Sequence, residues 1–114
     1  MDRRYSVKKQ EEIDQIFSAK NSYGNKEFAI YIKDHDYPHF RFALSIGKKF
    51  GIAVLRNKAK RQIRAILTTH KNQIDQTKEF VIVIKPRVKE LRFKDINESL
   101  LKMMNKAKLM IEED

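Results

Sequence analysis

Nine lysines and arginines lie between Asp36 and Asp75 with no carboxylate among them: Arg41, Lys48, Lys49, Arg56, Lys58, Lys60, Arg61, Arg64 and Lys71. The chemistry available to such a set is the neutralisation of phosphate. The whole 114-residue chain carries a formal charge of +10, so this window accounts for nearly all of the excess. Arginine's planar fork matches phosphate oxygens, and Asn57 adds a donor and an acceptor beside the cations. Arg56, Lys60 and Arg64 recur every four residues, which places them on one helix face with Asn57 and Arg61 alongside. Like charges at that spacing destabilise an isolated helix by a few tenths of a kcal/mol per pair, roughly. A face built only for solvation would interleave glutamates, and this one has none.

Other candidate chemistry is thinner. His35, His39 and His70 show no HxxxH or HExxH spacing and the chain has no cysteine, so no metal-ligand pattern emerges. Ser45 lies in no GxSxG element. Asp34 and Asp36 flank a turn, where keeping the turn soluble outweighs holding Mg²⁺. Gly47 to Gly51 matches neither a KH loop nor a Walker loop and reads as a strand-to-helix turn. Met103 and Met104 fall at helical spacing with Leu100 and Ala107, which suits a core face. No catalytic residue and no metal site is expected in the protein itself.

The elements that position the cations follow from periodicity. From Ile52 to about His70, apolar Leu55, Ala59, Ile63, Ile66 and Leu67 recur at three- and four-residue steps and predict a helix with one core face. A short helix is predicted over about Lys9 to Ala19, with Ile13, Ile16 and Phe17 opposite Glu11, Glu12 and Asp14. A brief strand fits Asn21 to Tyr23. Glu27 to Lys33 alternates, with Phe28, Ile30 and Ile32 on one side and Ala29, Tyr31 and Lys33 on the other. Phe40, Phe42, Leu44 and Ile46 alternate with Arg41, Ala43 and Ser45, and the two strands read as an antiparallel hairpin. Their second face, with Tyr31, Lys33, Arg41 and Ser45, reads as an open surface fit for a ligand. Phe80 to Ile84 is β-branched and apolar on both faces, as a central, parallel-type strand would be. A last helix is predicted over Arg92 to Ile111, its apolar side including Phe93, Ile96, Leu100, Met103, Met104 and Ala107. The result is an α+β sandwich with helices packed on one sheet.

Length and composition suit a single domain over residues 1–114, with Met1 to Ser6 expected as a flexible basic arm. The absence of cysteine suits the cytoplasm, and no stretch approaches the roughly 18 apolar residues of a membrane span. A pI near 9.9 with clustered charge points to nucleic acid. Phe17 beside Tyr31, among cations, suits single-stranded RNA; the alternative for Phe17 is an ordinary core position.

The run SIGKKFGIAVLRNKAKRQIR at 45 to 64 resembles the protein subunit of bacterial ribonuclease P. Lys48 and Lys49, Gly51, Ala53 and Val54, Arg56 and Asn57, Lys60 and Arg61, and Arg64 match its signature. The likeness extends to VKK at 7 to 9, IF at 16 to 17, FAIYI at 28 to 32 and FVIVIKP at 80 to 86. The resemblance implies the ribosomal protein S5 domain 2-like fold in αβ(β)βαβα order, with the basic helix in a left-handed βαβ crossover. General chain-connection rules favour the right-handed form. It further implies an RNA enzyme, in which ribonuclease P RNA removes the 5′ leader of precursor tRNA using Mg²⁺ held mainly by RNA, without an organic cofactor. Lys48, Lys49, Arg56, Asn57, Lys58, Lys60, Arg61 and Arg64 would contact the catalytic RNA. Ile13, Phe17, Ala29, Tyr31 and Lys33 would line a leader cleft, with Arg56 and Asn57 at its edge. No membrane and no obligate protein partner are implied. Ile13 stands where an aromatic is usual, Gly47 where serine is usual, Ile52 where a polar residue is usual, and Ala65 where an acid or amide is common.

Three rival readings use the same charge. A ribosomal or RNA-assembly protein would bind RNA without affecting tRNA processing. A DNA regulator would need a second helix before the basic one at helix-turn-helix spacing, and a strand stands there instead. An autonomous nuclease would need an acid–base or metal cluster that the sequence lacks.

Overall fold

The computed structural model describes residues 3–111. In chain order it contains α1 (Gln10–Ser18), β1 (Ser22–Gly24), β2 (Phe28–Asp34), β3 (Arg41–Ile46), α2 (Ala53–Thr69), β4 (Lys78–Ile84) and α3 (Phe93–Lys106). The strands form one mixed sheet in the order β1-β2-β4-β3. The fold is α+β, as the periodicities predict.

The pairing differs from the expected hairpin. β2 and β3 do not touch, because β4 lies between them, antiparallel to β2 and parallel to β3. Alternation assigns each strand its two faces but does not choose its neighbour. Phe80 to Ile84 can be buried on both faces, so it takes the centre, where both edges and both faces are covered. β2 forms its hairpin with the shorter β1 through the Gly24-Asn25 turn. There the Asn25 side-chain oxygen accepts the amides of Glu27 and Phe28 at 2.9 and 2.7 Å. The parallel β3–α2–β4 unit carries the basic helix across the sheet.

The two faces hold separate apolar clusters. Phe28, Ile30, Ile32, Phe42, Phe80, Ile82 and Ile84 pack with Ala59, Ile63, Ile66 and Leu67 of α2 and Ile96, Leu100, Met103 and Met104 of α3. On the other face Val81 packs with Val7 and Ile16, joined by half-buried Ile13, Phe17, Tyr31 and Ala43. Helix α1 therefore covers one face, and α2 and α3 the other.

Both termini depart from expectation. Met1 and Asp2 lie outside the described residues. The rest of the expected flexible arm is docked: Arg3–Tyr5 form a 3-10 turn and Ser6 bridges to Phe42. The Tyr5 ring lies 4.9 Å from that of Phe40, with the Lys71 ammonium 4.4 Å above Tyr5. At the other end α3 stops at Lys106, short of Ile111. Lys108 adopts φ 59°, and the Leu109 amide donates back to the Met104 carbonyl at 2.9 Å, which closes the helix. Leu109 and Met110 then turn to meet Ile74 and Asp75. Phe93, the first residue of α3, is 46% exposed and does not join the apolar side expected to hold it.

Candidate nucleic-acid interface

Helix α2 is anchored by Ala59, Ile63, Ile66 and Leu67, which are all buried, so its remaining sides face solvent. Asn57, Lys58, Arg61 and Arg64 are exposed there, with Arg56 and Lys60 half-buried beside them. Lys48 and Lys49 stand exposed on the preceding 3-10 turn, Lys48–Phe50, which buried Phe50 pins to the core. Gly51 links turn to helix at φ 143° and ψ −165°, a conformation open essentially only to glycine. Lys48, Lys49, Arg56, Lys58, Lys60, Arg61 and Arg64 make no ion pair with any described residue. Among the described residues, nothing neutralises their charge.

The entry to α2 is unusual. Ile52 occupies the N-cap without a capping side chain, and the first turn contains no acid. Ile52 and Val54 are 69% and 71% exposed. Leu55, which periodicity places on the core stripe, is 38% exposed. The sequence marks Ile52 as the helix start and as an apolar residue where a polar one is usual, but does not single out Ile52 and Val54 as an exposed apolar pair. The signal was a β-branched apolar residue at a position where capping favours Ser, Asn or Asp.

Two cations of the window are used internally. Arg41 is buried, and its Nη2 donates to Glu79 Oε2 at 2.8 Å and to Glu12 Oε2 at 2.5 Å. Lys71 lies over Tyr5. The expected open surface of Tyr31, Lys33, Arg41 and Ser45 is thus corrected. Helix α1 packs on Tyr31 and Ala43, Arg41 is committed to two carboxylates, and Lys33 Nζ lies 3.6 Å from Glu79. The Glu12 hydrogen bond also ties α1 to the sheet.

Of the residues expected at the leader cleft, Ile13, Phe17 and Tyr31 come together. The Phe17 and Tyr31 rings sit 4.7 Å apart, edge to face at 70°. Ala29 lies one row further along the same sheet face, aligned with Val83 and Ser45, and is half-buried. Lys33 falls at the other end, in the row of Glu79 and Arg41. Arg56 and Asn57 belong to α2, whose buried side chains pack on the opposite face from α1.

Remaining features do not extend this surface. A cavity of about 470 Å³ at the β1–α3 edge is lined by Asn25, Glu27 and Ser99 with both acids and lysines. Ser99 donates to Glu27 and accepts from Asn25, and no residue predicted to bind RNA lines that cavity. His70, at the C-cap of α2, has its amide on the Ile66 carbonyl and its Nδ1 2.8 Å from Gln73 Oε1.

Comparison with known proteins assigns the family. The model of the family described as Ribonuclease P matches residues 1–108. The chain is 46% identical over 113 residues to the ribonuclease P protein component of Acholeplasma laidlawii, covering 99% of this chain and 97% of that one. It is 41% identical over 109 residues to the corresponding protein of Streptococcus gordonii, covering 96% and 91%. The solved structure of the Staphylococcus aureus RNase P protein superposes with a TM-score of 0.88 at 33% identity, covering 93% of this chain and 97% of that one. An outward face of cations on α2 that pair with no described carboxylate, an α+β scaffold that presents it, and likeness along nearly the whole chain agree, and the chain belongs to the ribonuclease P protein family.

Proposed function

We propose that this protein binds ribonuclease P RNA through the cationic face of α2 and assists removal of the 5′ leader from precursor tRNA. The observation that carries this reading is the set of seven cations from Lys48 to Arg64 without an ion pair to any described residue. Each phosphate neutralised releases condensed counterions, which supplies affinity without sequence reading. Fixed positive charge between two polyanions, catalytic RNA and substrate, also lowers the concentration of Mg²⁺ needed to hold them together.

No cluster of three or more His, Cys, Asp or Glu side chains that could hold an ion occurs among the described residues, and the proposed RNA face is cationic. In this reading the hydrolytic step belongs to the RNA and its Mg²⁺. The protein positions the substrate: Phe17 and Tyr31, with Ile13 and Ala29 near them, offer apolar and aromatic surface to an unpaired leader, and a base stacked there leaves its phosphates in the basic field. No described helix is long and apolar enough to cross a membrane.

The test is cleavage of a precursor tRNA with a 5′ leader by ribonuclease P RNA at low millimolar Mg²⁺, with and without the protein. Strong activation, absent with the protein alone, supports the reading. Tight RNA binding without activation would move the assignment to RNA assembly.

A further inference from the structure

The least protected aliphatic side chains of α2 lie inside its most basic region. Ile52 and Val54 are 69% and 71% exposed at the start of the helix. Lys48 and Lys49 precede them, Arg56 and Lys58 follow, and none of these four pairs with a carboxylate of the described chain. Charge restricts what can cover these side chains. A second copy of this chain docking here would set lysine and arginine against lysine and arginine. An anionic membrane would satisfy the cations, but two short side chains present far less apolar area than an interfacial helix does. RNA offers both complements at once: phosphates for the cations, and the apolar face of an unstacked base for the aliphatics. Aliphatic side chains beside a basic element serve as wedges or platforms for bases in many nucleic-acid complexes.

We propose that Ile52 and Val54, two exposed aliphatic side chains at the start of α2, offer apolar contacts to unstacked bases of the catalytic RNA, next to the phosphates held by α2. This rests on the function proposed above and adds a contact that charge does not provide. Its contribution to affinity should not depend on salt, because no counterion is released when an aliphatic side chain is covered.

The chain allows a test in which folding and binding move in opposite directions. Ile52→Ser introduces a capping oxygen at the N-cap of α2, and Val54→Ala replaces a β-branched residue with the best helix former. Both variants should melt at or above the wild-type temperature. Binding to ribonuclease P RNA, measured from 50 to 200 mM salt, should nevertheless weaken about fivefold to tenfold for the double variant at every salt concentration. The slope of log affinity against log salt should match wild type. Wild-type affinity in the double variant, with the wild-type protein binding tightly and salt-dependently, overturns the proposal. So does a changed slope, or a wild-type self-association that the substitutions abolish. If the wild-type protein does not bind this RNA in a salt-dependent way, the functional reading itself falls and takes this inference with it.

Discussion

Arg41 and Glu79 stand opposite each other on the parallel strands β3 and β4, and the guanidinium donates to the carboxylate at 2.8 Å with both side chains buried. The same Nη2 reaches Glu12 on α1, so one arginine joins the sheet to the helix that covers it. Removing one partner strands a buried charge, which typically costs 3 to 5 kcal/mol, roughly. Arg41→Ala should lower stability by about that amount in urea unfolding, and Glu79→Ala by less, because Arg41 keeps its hydrogen bond to Glu12. Arg41→Ala should leave the salt dependence of RNA binding unchanged, because Arg41 is not part of the outward face. A reduced slope would place it there after all.

This network also predicts acid sensitivity. The Glu12 carboxyl is held below its usual range chiefly by the hydrogen bond from Arg41, and that of Asp34 chiefly by the one from Lys78. Both groups bind a proton less readily folded than unfolded. Their stabilisation is complete above the ordinary carboxylate range near 4, roughly, and is lost as pH falls through the lowered folded values. Melting temperature should be level from about pH 5 to 7 and decline below about pH 4. Glu12→Gln should lower the plateau and make the acid limb shallower. An unchanged limb would mean that other carboxylates govern it.

Gly51 cannot be replaced without strain. An added Cβ would lie 3.1 Å from Leu55 Cδ1, at a backbone angle that side chains rarely adopt. Gly51→Ala should cost about 1 to 3 kcal/mol. It should also disturb RNA binding more than that loss of stability explains, because the turn sets Lys48 and Lys49 relative to α2. Thermal melts and binding titrations on one preparation separate the two effects.

On α2, Arg61→Ala and Arg64→Ala should each reduce the magnitude of the log–log salt slope for ribonuclease P RNA by about one. Wild-type affinity should fall roughly a thousandfold or more between 50 and 200 mM salt if six to ten phosphates are contacted. A flat response would remove the electrostatic basis of the proposed function.

If the proposed leader contact is right, the Phe17–Tyr31 surface beside α1 should be selective for leader-bearing substrate. Phe17→Ala and Tyr31→Ala should weaken binding of precursor tRNA to the holoenzyme by about 1 to 3 kcal/mol relative to mature tRNA. Both rings also pack in the smaller apolar cluster, so general destabilisation is the competing explanation. Equal losses for precursor and mature tRNA would indicate that outcome.

Local pattern decided much of this protein. The three- and four-residue spacing of Ala59, Ile63, Ile66 and Leu67 identifies the buried side of α2, and a run without acids identifies its outer side, because both properties repeat along a single element. Tertiary structure decided what depends on partners far apart in sequence. β4 separates β2 from β3 because Phe80 to Ile84 can be buried on both faces, and alternation alone does not encode strand order. Arg41, one of nine cations by composition, is withdrawn from the surface by Glu12 and Glu79, which lie 29 and 38 residues away. Tyr5 is docked by Phe40 and Lys71, although the segment around it has no periodicity. Ile52 and Val54 are exposed, although hydrophobicity alone would have placed them inside, because the buried side of α2 is Ala59, Ile63, Ile66 and Leu67.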